Sequence, residues 1–252
     1  MKLKTLTHST YIEESIEILK LASKMDNIKE LREYAIKNIF KQNSEYGRKT
    51  KCYTVISRYL QVDKNKIKKT PLIMAFEIFN DLKILKEILF YHYINQENVV
   101  KYSVINEIYP QLINNNKLLN KEKLNNFIKA NLECSDNTLK NTCSSVPKAL
   151  ADFGFLNIAT KNYELKYYMP TIESFAYALY HTYLIEMNFL NPPYEHIINS
   201  DIPKIYFMKL ESIEHKLELL RNKGLISLEK IANKKQYALN YNNMDDALNA
   251  LR

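Results

Sequence analysis

Asn137, Thr138, Lys140, Asn141, Ser144, Ser145 and Lys148 crowd residues 137–148, a stretch that holds no carboxylate. Their amides, hydroxyls and ammonium groups suit contact with base edges and phosphates. Asn can pair with adenine, Lys can reach guanine or phosphate, and Ser and Thr can take either base or backbone. Asp136 and Asp152 bracket the stretch without entering its centre. Between the polar residues, Leu139, Cys143, Val146, Leu150 and Phe153 recur at spacings of four, three, four and three. That is one apolar helix face, and it turns the polar set outward. An ordinary solvated face beside a structural hairpin is the competing reading. Pro147 leaves two geometries open. Either it bends a single helix over 136–153 at a cost of about 3 kcal/mol, or Ser144 or Ser145 caps a shorter one.

A second group could hold phosphate without reading bases. Arg48, Lys49, Lys51, Arg58, Lys64, Lys66, Lys68 and Lys69 lie between residues 48 and 69 against Asp63 alone. On a helical period Lys51 and Arg58 share one edge, and the last four lysines crowd the loop that follows. Residues 1–69 carry 16 basic and 8 acidic side chains, so the whole formal excess of +8 sits in the first quarter. A local cationic field favours a polyanion, and phosphate contacts supply affinity rather than specificity. A merely solubilising basic surface is the alternative. Lys161, in a turn, and Lys166, in the strand leaving it, are placed to meet flanking phosphates.

Residue types for catalysis are present but unorganised. His8, His92, His181, His196 and His215 are isolated, with no H-E-x-x-H or Cys-x-x-Cys pattern and no glycine-rich phosphate loop. His92 and His181 sit among apolar residues as core-edge histidines, and His215 lies on a charged, solvated face. Glu77, Asp81 and Glu87 could converge as a metal nuclease would require, but no signature marks them. Cys52, Cys134 and Cys143 are scattered and read as buried free thiols in a reducing cytoplasm. No cofactor or metal is implied. No stretch approaches 18 uncharged apolar residues, so no membrane span is expected. Among nineteen tyrosines, Tyr177, Tyr180 and Tyr183 repeat as a packing stripe, while Tyr163, Tyr167 and Tyr168 leave single-strand stacking open.

The elements that must position these residues are mostly helices. Thr10 with Glu13 and Asn27 with Glu30 have capping-box spacing. Helices are expected to about Lys24, to about Phe40, over 48–60, from Pro71 behind Thr70, and from Asp81 to about Tyr93 with Leu82, Leu85, Ile88 and Leu89 inward. A helix near 98–108 should end before Pro110, and "NKEKLNNFIKAN" gives another. Gly154 can then stop the polar-faced helix in a left-handed conformation. Phe155–Ile158 and Glu164–Tyr168 form a hairpin around a turn at 160–162. The C-terminal third echoes this: Thr171 caps an aromatic helix, 194–199 is a short helix, and Leu210, Ile213, Leu217 and Leu220 line a long one. Leu150-x-x-x-Gly154-Phe155-Leu156 parallels Leu220-x-x-x-Gly224-Leu225-Ile226, 70 residues on. The fold class is mainly α: an N-terminal helical domain (1–95) and two winged-helix-like domains with small hairpins (96–170 and 171–252). In the last of these, Glu211, Glu214 and Glu218 stand beside Lys209, Lys216 and Arg221, which favours protein packing or homodimerisation over DNA.

Two segments carry a family resemblance. "NIFKQNSEYGRKTKCYTVISRYL" (38–60) is a polar-basic lead into a helix ending near arginine and leucine. "SDNTLKNTCSSVPKALADFGFLN" (135–157) is a polar-basic helix, then glycine and an apolar strand. In both, the chain resembles the BREX phage-defence accessory protein A (BrxA-like) family, although its central helix carries lysine and asparagine rather than arginine. The resemblance implies a cytoplasmic, non-enzymatic accessory component that binds double-stranded DNA alongside other BREX defence proteins. It makes Arg48, Lys49, Arg58 and the 137–148 face the DNA contacts. A protein–protein adaptor using winged-helix modules without DNA is the main alternative, and a metal-dependent nuclease the remote one.

Overall fold

Helix caps explain where this chain turns. The computed structural model describes residues 3–6, 9–159, 162–231 and 234–252. Its N-terminal part is built from α1 (Ile12–Ala22), α2 (Ile28–Asn38), α3 (Glu45–Tyr59), α4 (Pro71–Ile78) and α5 (Leu82–Gln96). Asn27 accepts from the Lys29 amide while its own side-chain amide donates to Glu30 at 3.1 Å. Ser44, Thr70 and Asp81 cap α3, α4 and α5. Thr10 does not cap: α1 begins after Tyr11 at φ 47°, and the Thr10 hydroxyl donates to Asp152 instead. Leu82 faces solvent, whereas Leu85, Ile88 and Leu89 are buried. The lysine-rich stretch after α3 closes as a minimal hairpin, β1 (Val62–Asp63) with β2 (Lys66–Ile67).

From Asn98 the chain builds one plan twice. α6 (Asn98–Ser103), a π turn (Val104–Ile108) and α7 (Tyr109–Ile113) run on without a break. Pro110 does not end this helix. The Tyr109 N–H bonds the Val104 carbonyl five residues back, and the widened turn accommodates a ring that would obstruct an α ladder. α8 (Lys121–Asn131), α9 (Asp136–Asp152), β3 (Leu156–Ala159) and β4 (Asn162–Leu165) follow. Leu119 N–H donates to the Tyr163 carbonyl at 2.9 Å and Leu165 N–H to the Lys117 carbonyl at 3.0 Å. Leu118 thereby forms an isolated antiparallel bridge to Glu164 of β4.

In the second copy, α10 (Ile172–Tyr180) enters another π turn (His181–Glu186). α11 (Tyr194–Asn199), α12 (Asp201–Ile205), α13 (Leu210–Asn222), β5 (Ile226–Ile231) and β6 (Lys234–Leu239) come after it. Leu239 N–H donates to the Leu190 carbonyl at 2.8 Å and Tyr237 N–H to the Pro192 carbonyl at 3.0 Å. The proline-rich break thus bridges the edge of β6 at Pro193 and Gln236, where missing N–H groups cost no ladder bond. A lone two-stranded hairpin is marginal; here β3–β4 and β5–β6 each gain a bridging segment at one edge and a helix packed against them. The fold is mainly helical with small two-stranded antiparallel hairpins.

The two glycines do the same work in both units. Gly154 and Gly224 take φ 85° and 72°. The next amide reaches back to the helix, Phe155 to the Leu150 carbonyl and Leu225 to the Leu220 carbonyl, each at 2.9 Å. This left-handed helix stop satisfies a terminal carbonyl and aims the chain into the hairpin.

One core runs through all three parts. Phe90 of α5 stacks on Phe155 with centroids 3.9 Å apart, and Tyr177, Tyr180 and Tyr183 are fully buried. α14 (Met244–Ala250), unforeseen in the sequence, packs on α4 and returns the C-terminus to the N-terminal part. Glu87 of α5 is the polar centre of this junction, 2% exposed. It accepts from the Tyr168 hydroxyl at 2.6 Å, the Thr171 N–H at 2.8 Å and the Thr171 hydroxyl at 2.7 Å. Burial lowers the pKa of Lys216 on α13, and the Glu87 charge works against that shift.

Two outcomes follow from these buried polar groups. Glu87→Ala leaves several donors unpaired and should cost about 3 kcal/mol or more, read by urea denaturation with Glu87→Gln as the milder comparison. His92 is half-buried, its Nε2 2.6 Å from the Tyr177 hydroxyl and its ring against Tyr91 and His181. Burial, then the His181 charge, hold its pKa well below the ordinary 6.5. The unfolded chain therefore takes a proton that the folded chain refuses, so stability is complete above pH 6.5 and declines below it. His92→Gln should flatten that acid slope.

Candidate nucleic-acid interface

α9 carries the candidate interface on one unbroken helix. Ser135 caps it, and Pro147 sits buried inside the span, so the single-helix geometry is the one adopted. Asn137, Lys140, Asn141, Ser144 and Lys148 are all exposed, at i, i+3, i+4, i+7 and i+11 of one stripe. Its 17 residues make a rod about 25 Å long. The Ser144 hydroxyl donates to the Asn141 carbonyl and keeps its lone pairs for a ligand. Asp136 opens the helix, where a negative charge favours the positive end of the dipole, and Asp152 is held by Thr10 at 3.0 Å.

The apolar face behaves differently along its length. Val146, Leu150 and Phe153 are buried, but Leu139 and Cys143 are only half-covered. Burial still pushes the Cys143 thiol up. Cys52 is buried and Cys134 exposed, so the expectation of three buried thiols holds only in part. On the hairpin, Lys166 is exposed and donates to Asn157 at 2.9 Å. Lys161 lies outside the described residues.

The N-terminal cations do not form one free patch. Arg58 is the clearest correction. Its guanidinium, 5% exposed, pairs with Glu97 at 2.7 Å, donates to the Ser9 carbonyl at 3.3 Å and lies over the Tyr93 ring. A charge neutralised at that depth is not offered to phosphate. Lys49 pairs with Glu45 at 2.6 Å on the surface; that hydrogen bond and the Glu45 charge raise its pKa. Arg48 donates to the Gln42 carbonyl at 2.5 Å. Lys51 rests over the Tyr11 ring, 5.1 Å from its centroid. α3 packs on α1, α2 and α5, while α9 packs on α6, α8 and β3.

Ser9, Thr10 and Tyr11 connect these surfaces, a role that sequence reading missed. Tyr11 supports Lys51, Thr10 ties to α9 through Asp152, and Ser9 accepts from Arg58. With Ser145 and Lys148, Ser9 and Thr10 line a groove of about 400 Å³ at the far end of the polar stripe. No local signal marks these contacts, because Thr10 and Asp152 are 142 residues apart. The three carboxylates weighed for a metal are engaged separately: Glu77 pairs with Lys69, Asp81 caps α5, and Glu87 is buried. Among the described residues, no group of three or more His, Cys, Asp or Glu side chains is placed to hold a metal ion.

The second unit supplies an internal comparison. The 70-residue offset that superposes Gly154 on Gly224 sets Asn141, Ser144 and Lys148 against Glu211, Glu214 and Glu218. All three glutamates are exposed. The same helix position thus faces solvent with amide, hydroxyl and ammonium in one unit and with carboxylates in the other. Lys216, which would have softened that acidity, is buried at the place of Val146.

Removing the Arg58 side chain strands Glu97 in a half-closed site. Arg58→Ala should therefore cost about 3 kcal/mol, whereas Lys51→Ala should change stability by less than about 1 kcal/mol. Thermal melts of the two variants separate the structural cation from the surface one.

The family model described as BrxA matches residues 2–182. The chain belongs to the BrxA family, and membership points to a component of BREX phage-defence systems. The match takes in α1–α10 and the α9 stripe; α11–α14 lie beyond it. No curated protein and no solved structure matches the chain.

Proposed function

We propose that this BrxA-family chain is a non-enzymatic accessory component of a BREX system that binds duplex DNA through the exposed face of α9. The observation that carries the reading is the carboxylate-free stripe of Asn137, Lys140, Asn141, Ser144 and Lys148. A major groove admits one helix, and these side chains are of the types that meet base edges and phosphates. The internal comparison supports it. A helix in the same position of the second unit carries three glutamates that phosphates would repel, so the polar-cationic face is particular to α9. Lys166 extends the contact along the hairpin. Lys51, beside the Ser9–Tyr11 link, extends it toward the N-terminal part, with Arg48 and Lys49 as outlying phosphate contacts. Arg58 serves as a brace for that link rather than as a contact.

A titration of unrelated duplexes at several salt concentrations tests this. Each phosphate contact contributes about −0.9 to the slope of log K against log salt. Lys140→Ala with Lys148→Ala should weaken binding and reduce that slope by about 2. Asn137→Ala with Asn141→Ala should weaken binding and leave the slope unchanged. Absence of duplex binding at low salt, beside a stable complex with other defence proteins, would replace this reading with a pure adaptor.

A further inference from the structure

α8 and α9 diverge enough to leave a groove of about 530 Å³ between them, closed at one end by Tyr163 of β4. Its floor is Leu139 and Cys143, where the apolar face of α9 runs out of cover, with the edge of the buried Pro147 beyond them. Its rim carries Lys121, Lys129 and Lys140, against Asp136 alone at one end. Lys121 lies over the Tyr163 ring, 5.1 Å from the centroid. Residues 136–147 of α9 border the groove for about 16 Å, or three helical turns.

The second unit shows what the same place looks like when it is closed. Leu228 and Tyr237 pair across β5 and β6 as Ile158 and Tyr163 pair across β3 and β4. The corresponding groove there is about 250 Å³. Tyr194, first residue of α11, enters it, donates to Glu214 at 2.6 Å and lies under Lys235. In the first unit, Lys121 begins α8 in that position. No aromatic from the second helix lines the space, and Leu139 and Cys143 stay half-exposed.

We propose that the α8–α9 groove docks an acidic amphipathic helix of a partner protein, its apolar side chains on Leu139, Cys143 and Pro147 and its carboxylates facing Lys129 and Lys140. A phosphate backbone would match the polar rim but gain nothing from the apolar floor, whereas aliphatic or aromatic side chains gain by leaving water there. Helices laid into apolar grooves are a recurrent recognition mode, anchored at i, i+3 or i+4, and i+7. Lys140 and Ser144 border both this groove and the polar stripe, so the partner would lie along the edge of the duplex surface. The groove assignment stands without duplex binding.

A display library of helical peptides, with Leu, Ile, Phe or Trp anchors and Glu or Asp flanks, is selected on the full chain. The enriched peptides are then measured by fluorescence anisotropy. Acidic binders should emerge that lose affinity about tenfold or more on Cys143→Trp, which fills the floor, and on Lys129→Glu with Lys140→Glu. Asn125→Trp blocks the groove from the exposed rim of α8 and covers the case in which Cys143→Trp misfolds. Asn137→Ala with Lys148→Ala should leave peptide affinity unchanged. The proposal is lost if no acidic helix is enriched over a sequence-scrambled pool, or if enriched peptides bind the blocked variants as well as the parent. It is equally lost if blocking the groove abolishes duplex binding while no peptide competes, which would assign the groove to nucleic acid.

Discussion

Glu87 holds together parts of the chain that local structure alone would leave apart. A carboxylate 2% exposed is tolerable only when donors surround it. Here those donors come from the segment that leaves the first hairpin and enters α10. α5 is held twice more, since the Tyr206 hydroxyl after α12 donates to the Glu87 carbonyl and the Ser174 hydroxyl of α10 to the Ile84 carbonyl. α5 is therefore a common wall for both later units. A buried carboxyl group is costly unless its donors sit in one arrangement, which fixes the entry to α10 against α5.

Against that wall the chain uses one plan for two different surfaces. Both units begin with a helix that passes through a π turn, bridge a short segment to the last strand of a hairpin, and end the preceding helix at a left-handed glycine. These shared features concern backbone satisfaction. What differs is the outward side of the third helix and the groove beside it. Carboxylates replace amides and lysines on α13, and Tyr194 closes the space that stays open next to α9. Surface residues of this kind change without disturbing the helix stop or the hairpin, so a duplicated scaffold can present separate surfaces.

The cations of the N-terminal part show why charge along a sequence is a poor guide to charge on a surface. Arg58 and Lys51 are seven residues apart on one helix, yet one is consumed by Glu97 and the other lies on an open ring face. Pairing at 5% exposure removes a charge from the field that a polyanion would meet. The excess of cations draws on fewer side chains than composition suggests, and the link at Ser9–Tyr11 decides which of them adjoin α9.

What the amino-acid order determined by itself was everything that depends on near neighbours. The Asn27–Glu30 cap, the Thr70 and Thr171 caps, the 3.6-residue stripe of α9 and the helix stops at Gly154 and Gly224 all involve residues within five positions of one another. That is why the mainly helical class, the echo between the units and the outward face of 137–148 were legible. The tertiary structure alone decided the bridge from Leu118 to β4, the burial of Arg58, the departure of Thr10 from its expected cap to Asp152, and the half-open groove beneath Leu139 and Cys143. Each is settled by a partner tens of residues away, or by the space between packed helices. A periodicity can show which side of a helix is apolar, but only packing shows how much of that side is covered.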